Sequence, residues 1–352
     1  MKHLTQQYDE TIYSSNAFEF YFGDLDIGIL DIETTGLNPS RNKFILGGLF
    51  DLQTKTMHQL FAENRGEERE ALKAFYDMIS QLDMVITYNG RHFDMPFIEK
   101  RLKLHGFGGR FKADTEQTAF EAYLPYNLDI YLMINGHSPI KRLVPNLKQK
   151  TVENYMGLWQ SRTDEISGAE SVELYNRYEN TGSSQLESRI LLHNSDDVLQ
   201  LTRLMKVIGK CDIHKAMYHL GFPVFAESHE STGGSRRYRL MVKKIRTEKN
   251  SLMVSGIQMD NAMEYMGFSF GDFPVESRFS RRSATFDMKL PIIRDSGLCI
   301  ADLDAAGLQR SDFEKYPSCS SGFLVIENHD IKNFQETNHF IKAFLNAFMN
   351  NI

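Results

Sequence analysis

Cysteine is scarce and scattered in this 352-residue chain: Cys211, Cys299 and Cys319 stand far apart, with no Cys-x-x-Cys pair. An odd count with long gaps speaks against a disulfide framework, and the lack of histidine pairs at ligand spacing speaks against a zinc site. A reducing compartment, the cytoplasm, is the expected location. Long apolar runs are lacking too. The longest, Phe44 to Phe50, contains two glycines and is far too short to cross a bilayer. Residues 1–16 are polar and mixed in charge, unlike a secretory signal, so no membrane association is expected. Nor is there an excess of positive charge. Lys and Arg number 40 against 46 Asp and Glu, a net charge of −6, which does not suggest a general polyanion binder. Net charge says less, however, than where the cations cluster.

What the chain does have is 41% apolar residues, enough at this length to bury large cores in two domains. Residues 1–22 read as an aromatic-bearing extension that adds a strand or lies across the domain that follows. From Gly23 come three strand patterns (25–30, 43–51, 56–61), then a helix over 67–82 with Leu72, Phe75, Ile79 and Leu82 on one stripe. A strand over 84–88, a helix from Asp94, a strand near Asp129 and a largely helical stretch from 147 to 210 complete residues 23–215. Early strands followed by alternating strands and helices predict a mixed sheet covered by helices on both faces. Beyond residue 215, Gly-Pro and Gly-Ser punctuation and alternating segments predict a smaller α+β domain, 216–352, that ends in a helix over 334–349.

The chemistry concentrates in the first domain. Asp31-Ile32-Glu33-Thr34-Thr35-Gly36 closes the first strand pattern. Side chains alternate along a strand, so Asp31 and Glu33 share a face. Two like charges there need a positive partner, and a divalent cation that also takes phosphate oxygens is the natural one. Asp94 stands where a strand gives way to a helix. His193 and Asp197 are four apart in an apolar-periodic stretch with Leu191, Val198, Leu201 and Met205 on its buried stripe, so they project from one side.

These motifs together resemble the DEDD 3′-to-5′ exonucleases of the ribonuclease H-like superfamily: Asp31-x-Glu33-Thr34-Thr35-Gly36, then Asn89-x-x-x-Phe93-Asp94, then a helical Asp197. Tyr88-Asn89-Gly90, Leu128-Asp129-Ile130, Leu147-Lys148 and Asn194-x-x-Asp197-Val198 are similar to the YprB-type ribonuclease H-like proteins in particular. The resemblance covers about residues 24–208. It implies a ribonuclease H-like fold and hydrolysis of phosphodiesters at single-stranded DNA or RNA ends. Two divalent cations, Mg²⁺ or Mn²⁺, would be held by Asp31, Glu33, Asp94 and Asp197. The chain departs from the family at the fifth position. One branch carries tyrosine four residues before the last Asp and another carries histidine five before it; here His193 has the tyrosine spacing and Leu192 the histidine spacing. An imidazole there can accept a proton from the attacking water; the plainer alternative is a helix-surface histidine.

Thr34, Thr35, Gly36 and Leu37 are expected to support the terminal nucleotide, and Tyr88, Asn89 and His92 to line the cleft. Asp129 reads as a strand-end cap, and Asp196 as the solvated neighbour of Asp197. In the second domain, Arg236, Arg237, Arg239, Lys243, Lys244, Arg246 and Lys249 stand against Glu248 alone. Such a stripe fits phosphate neutralisation, with Tyr238 and Phe279 as candidate base-stacking partners; a solvated strand edge guarded by lysines fits as well. Two other functions stay open at this level: a non-catalytic nucleic-acid-binding module on a nuclease-like fold, and a structure-specific endonuclease.

Overall fold

A computed structural model describes residues 1–107, 124–158, 161–163, 166, 168–229, 235–259 and 261–351. The chain divides into two compact units, Met1–Asp212 and Ile213–Ile352.

The first unit is built on a six-stranded mixed sheet. Its strands are β1 (Lys2–Gln7), β2 (Ile27–Thr34), β3 (Phe44–Asp51), β4 (Thr56–Phe61), β5 (Met84–Thr87) and β6 (Tyr126–Asp129), in the spatial order β1-β4-β3-β2-β5-β6. β2 lies at the centre, antiparallel to β3 and parallel to β5. It is buried at every position but Asp31, because helices cover both sides of the sheet. On one side α2 (Glu68–Ile79) sets Leu72, Phe75 and Ile79 against Phe44, Leu49 and Leu60. Phe75 is fully buried, and truncating such a side chain costs roughly 3–5 kcal/mol. On the other side α6 (Gly168–Thr181) and α7 (Ser184–Leu204) bring Leu174, Tyr175, Tyr178 and Ile190 to Ile45, Leu46 and Phe61. Remaining helices are α1 (Asn16–Phe22), α3 (Asp94–Leu104), α4 (Ile130–His137) and α5 (Gln149–Tyr155). Residues 2–7 form the edge strand, antiparallel to β4.

β2 runs four residues further than its apolar pattern predicts, since Asp31, Ile32 and Glu33 continue the ladder opposite Gly48, Gly47 and Leu46. The two acids therefore sit inside a strand whose backbone is fixed on both sides.

The second unit is rich in antiparallel strands, as its alternating segments predict. One sheet orders β10 (Tyr265–Gly267), β11 (Glu276–Ser280), β12 (Thr285–Pro291), β9 (Ser251–Gln258), β8 (Ser235–Glu248) and β7 (Phe222–His229) side by side. Another joins β13 (Ile293–Asp295), β14 (Leu298–Asp302), β16 (Phe323–Asn328) and β15 (Cys319–Ser320), with β17 (Ile331–Lys332) on β16. α8 (Ile213–Leu220) and α9 (Phe334–Met349) complete it. Phe344 and Phe348 of α9 pack on Phe270, Phe273 and Phe279, and Phe279 stacks on Phe286 at 5.5 Å. Phe279 is fully buried and Tyr238 is 8% exposed. Neither is free to stack on a base, contrary to the expectation from sequence: the strand period turns both inward. Among the described residues no helix is long and apolar enough to cross a membrane.

Candidate active site

Three elements deliver the acids to one place. β2 presents Asp31 and Glu33. α3 begins at Asp94, whose Oδ1 accepts the Ile32 backbone N–H at 3.2 Å, so the helix start is tied to the strand between the two acids. α7 supplies His193, Asn194 and Asp197.

Asn194 fixes the helix against the strand. Its amide donates to the Asp31 carbonyl (3.2 Å) and to Asp31 Oδ2 (3.1 Å), while its own Oδ1 accepts from Gln59 Nε2 at 3.0 Å. The approach is close enough to require a glycine: a Cβ on Gly48, the residue opposite Asp31, would stand 2.3 Å from Asn194 Oδ1.

Glu33 accepts from Ser171 Oγ at 2.9 Å and lies 3.5 Å from His193 Nε2. That same nitrogen is 3.7 Å from Asp197 Oδ2. One ligand atom each from Glu33, His193 and Asp197 fit within 4.8 Å of one another. The other oxygen of Asp197, Oδ1, pairs with Arg162 Nη1 at 2.6 Å. Arg162 is held in turn by the buried Glu153 through two contacts of 2.8 and 3.0 Å. Burial opposes its charge, but Glu153 and Asp197 outweigh that and push the guanidinium pKa up.

The electrostatics are those of crowded acids. Burial, first, and then the charges of Asp94, Asp197 and Glu33 hold the Asp31 carboxyl well above the usual carboxylate range, against the Asn194 hydrogen bond. Burial pushes Asp94 up to about 7, opposed by backbone N–H groups and reinforced by Asp129 and Glu33.

A cleft of about 510 Å³ opens on this cluster. Asp31, Glu33, His193 and Asp197 line it together with Thr34, Gly36 and Leu37. Leu37 is 82% exposed. Asp94 sits behind the lining, 4% exposed. Thr35 builds the turn instead, accepting the Lys43 N–H on Oγ1. Asn89 and His92 lie outside the lining. Asn89 takes a positive φ of 65° and donates its N–H back to Asp129, and its side chain faces the exposed His92. Tyr88 acts one step removed, donating from its hydroxyl to the Leu147 carbonyl at 2.7 Å beside Lys148.

Asp129 is a cap: its carboxylate accepts the N–H groups of Asn89, Arg91 and Leu132. Asp196 is not solvated. It is 6% exposed and accepts from the Thr163 N–H (2.7 Å) and hydroxyl (2.8 Å), leaving Asp197 as the more open acid. Arg236, Arg237 and Arg239 belong to β8 of the second unit. The side chains of Arg236 and Arg237 lie outside the described residues.

Several site residues carried no signal that singled them out. Arg162 and Glu153 are nine apart in an irregular stretch, so no periodicity pairs them. Lys150 lines the cleft from the start of α5 without a motif to mark it, beside Phe93 and Lys148, which the motifs already name. Gly47-Gly48 inside a strand pattern was a legible sign of close backbone approach.

A helix-flanked mixed sheet with acids on its central strand defines a ribonuclease H-like α/β protein. The model of the RNase H superfamily matches residues 29–209, and the chain belongs to that superfamily. Among curated proteins, a DNA polymerase of Methanocaldococcus jannaschii is 24% identical over 132 residues, 33% of this chain and 8% of its own length. Among solved structures, the family B DNA polymerase of the archaeon Pyrobaculum calidifontis superposes with a TM-score of 0.41 at 20% identity, over 52% of this chain and 24% of that one. Exonuclease I superposes with a TM-score of 0.33 at 12% identity, over 66% of this chain and 55% of its own. The chain thus spans only part of the length of each of these three proteins.

Proposed function

We propose that this protein is a divalent-metal-dependent nuclease, a DEDD-type 3′-to-5′ exonuclease akin to the YprB-type proteins, acting on single-stranded ends of DNA or RNA. The observation that carries the reading is the convergence of Asp31, Glu33 and Asp197 at one cleft, with Asp94 behind its lining, where burial and then the neighbouring acids raise the Asp31 pKa. A set of carboxylates with a single imidazole suits hard cations such as Mg²⁺ or Mn²⁺. Such ions, when bound, neutralise phosphate charge and activate water.

The chain's own residues have distinct tasks. Asp31, Glu33, Asp94 and Asp197 would hold the cations. His193 Nε2 stands where it can accept the proton of the attacking water. Asn194 keeps Asp31 in place, and Arg162 turns Asp197 so that Oδ2 faces the cleft. Leu37 and Phe93 give apolar walls for the terminal base, and Lys148 offers positive charge to the backbone. Polarity and the preference for ends come from the family resemblance.

The test is hydrolysis of 5′-labelled and 3′-labelled single-stranded DNA and RNA with Mg²⁺, Mn²⁺ or EDTA. Stepwise release of mononucleotides from the 3′ end, dependent on metal, is expected. Cleavage of circular substrates would make the enzyme an endonuclease. Binding without turnover under every condition would leave a non-catalytic module.

A further inference from the structure

The second unit carries a surface with no role in the cluster described above. Along β8 the ladder to β9 slips between Val242 and Lys244. Such a bulge admits one extra residue and re-aims the side chains after it. Lys243 and Lys244 are both exposed as a result, and Arg246 follows on the outer face. In register across the sheet, Lys244 stands opposite Ser255, Ser255 opposite Asp287, Asp287 opposite Arg278, and Arg278 opposite Met266. A parallel row runs Arg246, Met253, Lys289, Glu276. The opposite face of these strands is closed by the phenylalanines under α9, so this one is the outer face.

Lys244 and Arg278 form no ion pair among the described residues, whereas Lys289 pairs with Glu276 at 2.5 Å on the surface. Exposed pairs of that kind are worth at most about 1 kcal/mol and yield readily to a stronger anion. From Lys244 to Arg278 is three strand spacings, about 14 Å. Between them and the sheet edge a groove of about 200 Å³ is lined by Met253, Met266, Phe268, Arg278 and Lys289, with the carboxylates of Glu276 and Asp287 also on its wall. Met266 and Phe268 are each 67% exposed, an uncommon state for side chains that would otherwise be buried.

We propose that this outer face, with Lys244, Arg246 and Arg278 as phosphate contacts and Phe268 as a stacking side chain, binds single-stranded nucleic acid. Separated cations beside an apolar groove match the alternating chemistry of a single strand, whose phosphates are anionic and whose bases have open faces. A duplex hides those faces and would leave Phe268 unused. The proposal deepens the nuclease reading and rests on it for the presence of nucleic acid near this protein, yet it is tested without turnover.

Full-length protein in EDTA is titrated into a fluorescein-labelled oligo-dT or oligo-U across a range of salt. Lys244→Glu/Arg278→Glu is expected to bind at least 10-fold more weakly and to flatten the dependence of log K on log salt by roughly 1.4, two single-strand phosphate contacts. Phe268→Ala is expected to weaken binding 5-fold or more at unchanged salt slope. Lys206→Glu, one such charge reversal on an exposed residue of the first unit, serves as the control, to be set against half the effect of the double variant. Metal-dependent hydrolysis of a trinucleotide, too short to reach a second site, should be unchanged in all three. Unaltered affinity of the double variant, at an unchanged melting temperature, overturns the proposal and leaves the nuclease reading intact. Equal weakening per reversed charge by Lys206→Glu overturns it too, in favour of diffuse charge. Binding by wild type that the double variant weakens, with no hydrolysis by either, supports this face and sinks the nuclease reading.

Discussion

The two units solve opposite electrostatic problems. Residues 1–212 carry 30 Asp and Glu against 23 Lys and Arg, and several of the acids are buried together. Residues 213–352 carry 16 acids against 17 cations, and Lys243, Lys244 and Arg246 of β8 are exposed. A protein meant for a polyanion would be expected to be basic throughout; here the unit with the acidic cleft is the one that repels phosphate. Under the nuclease reading, a nucleic acid at that cleft would meet Lys148 and Lys150 beside the acids and would need bound metal to offset the rest. The chain's overall −6 is the sum of two local balances and describes neither.

The strongest way to break this division of labour is to remove charge from the cleft. Asp31→Asn is expected to lower metal-dependent hydrolysis by about 10³-fold or more while leaving single-strand affinity in EDTA unchanged or improved. In metal-free protein the same substitution relieves repulsion, so its melting temperature should rise by a few degrees. A variant that kept its activity, measured with mononucleotide release, would remove Asp31 from the chemistry.

His193→Ala comes next, with an expected loss of about 10²- to 10⁴-fold in turnover at neutral pH. The helix-surface alternative is disfavoured by its 3% exposure and its place between Glu33 and Asp197. A variant with unchanged rate and unchanged pH–rate profile would return the residue to a packing role. Arg162→Gln should be milder, costing about 10- to 100-fold as orienting partners of metal ligands do, with Arg162→Lys recovering part of it. Isothermal titration of Mn²⁺ gives the readout independent of turnover: weaker binding is expected once Asp197 loses its brace.

Much of the first unit was legible because local pattern and global fold agree there. The strands over 44–51 and 56–61 and the helices over 68–79 and 94–104 follow from apolar period alone. The two acids on β2 share a face for the reason that any strand alternates. What stayed hidden depends on contacts between distant segments. Nothing in Arg162 or Glu153 announces a partner, and Gln59 reaches Asn194 only because β4 and α7 meet. Asp196 and Asp197 differ by one residue on a helix, and only the position of Thr163 decides which is sealed. In the second unit the alternation is clear, but the charge pattern alone does not give its direction; the same period that exposes Arg278 buries Phe279.

The smallest predicted effect separates the units by pH. In metal-free protein Asp94 titrates near 7 in the folded state against its ordinary 3.8, so the folded state binds more protons than the unfolded one across that window. Stability from this site is therefore full below about pH 4 and is lost as pH rises toward 7, by a few kcal/mol. Asp31 acts in the same sense. In the second unit His339, stacked on Phe313 at 4.3 Å, is pushed down to about 4 chiefly by burial. Its folded state binds fewer protons between about 4 and 6.5, so that contribution grows as pH rises through the same range. His58 in the first unit is also lowered, which moderates but does not reverse the trend set by two buried aspartates. Thermal unfolding in EDTA between pH 4.5 and 7.5 should thus show Asp94→Asn gaining on wild type as pH rises, and His339→Gln losing on it. Saturating Mn²⁺ should flatten the first difference and leave the second, because only the acidic cluster binds the ion. A metal-free wild type whose Asp94→Asn difference is independent of pH would mean that burial and the nearby Asp129 and Glu33 do not hold the Asp94 carboxyl up, and the electrostatic case for a cation beside it would be lost.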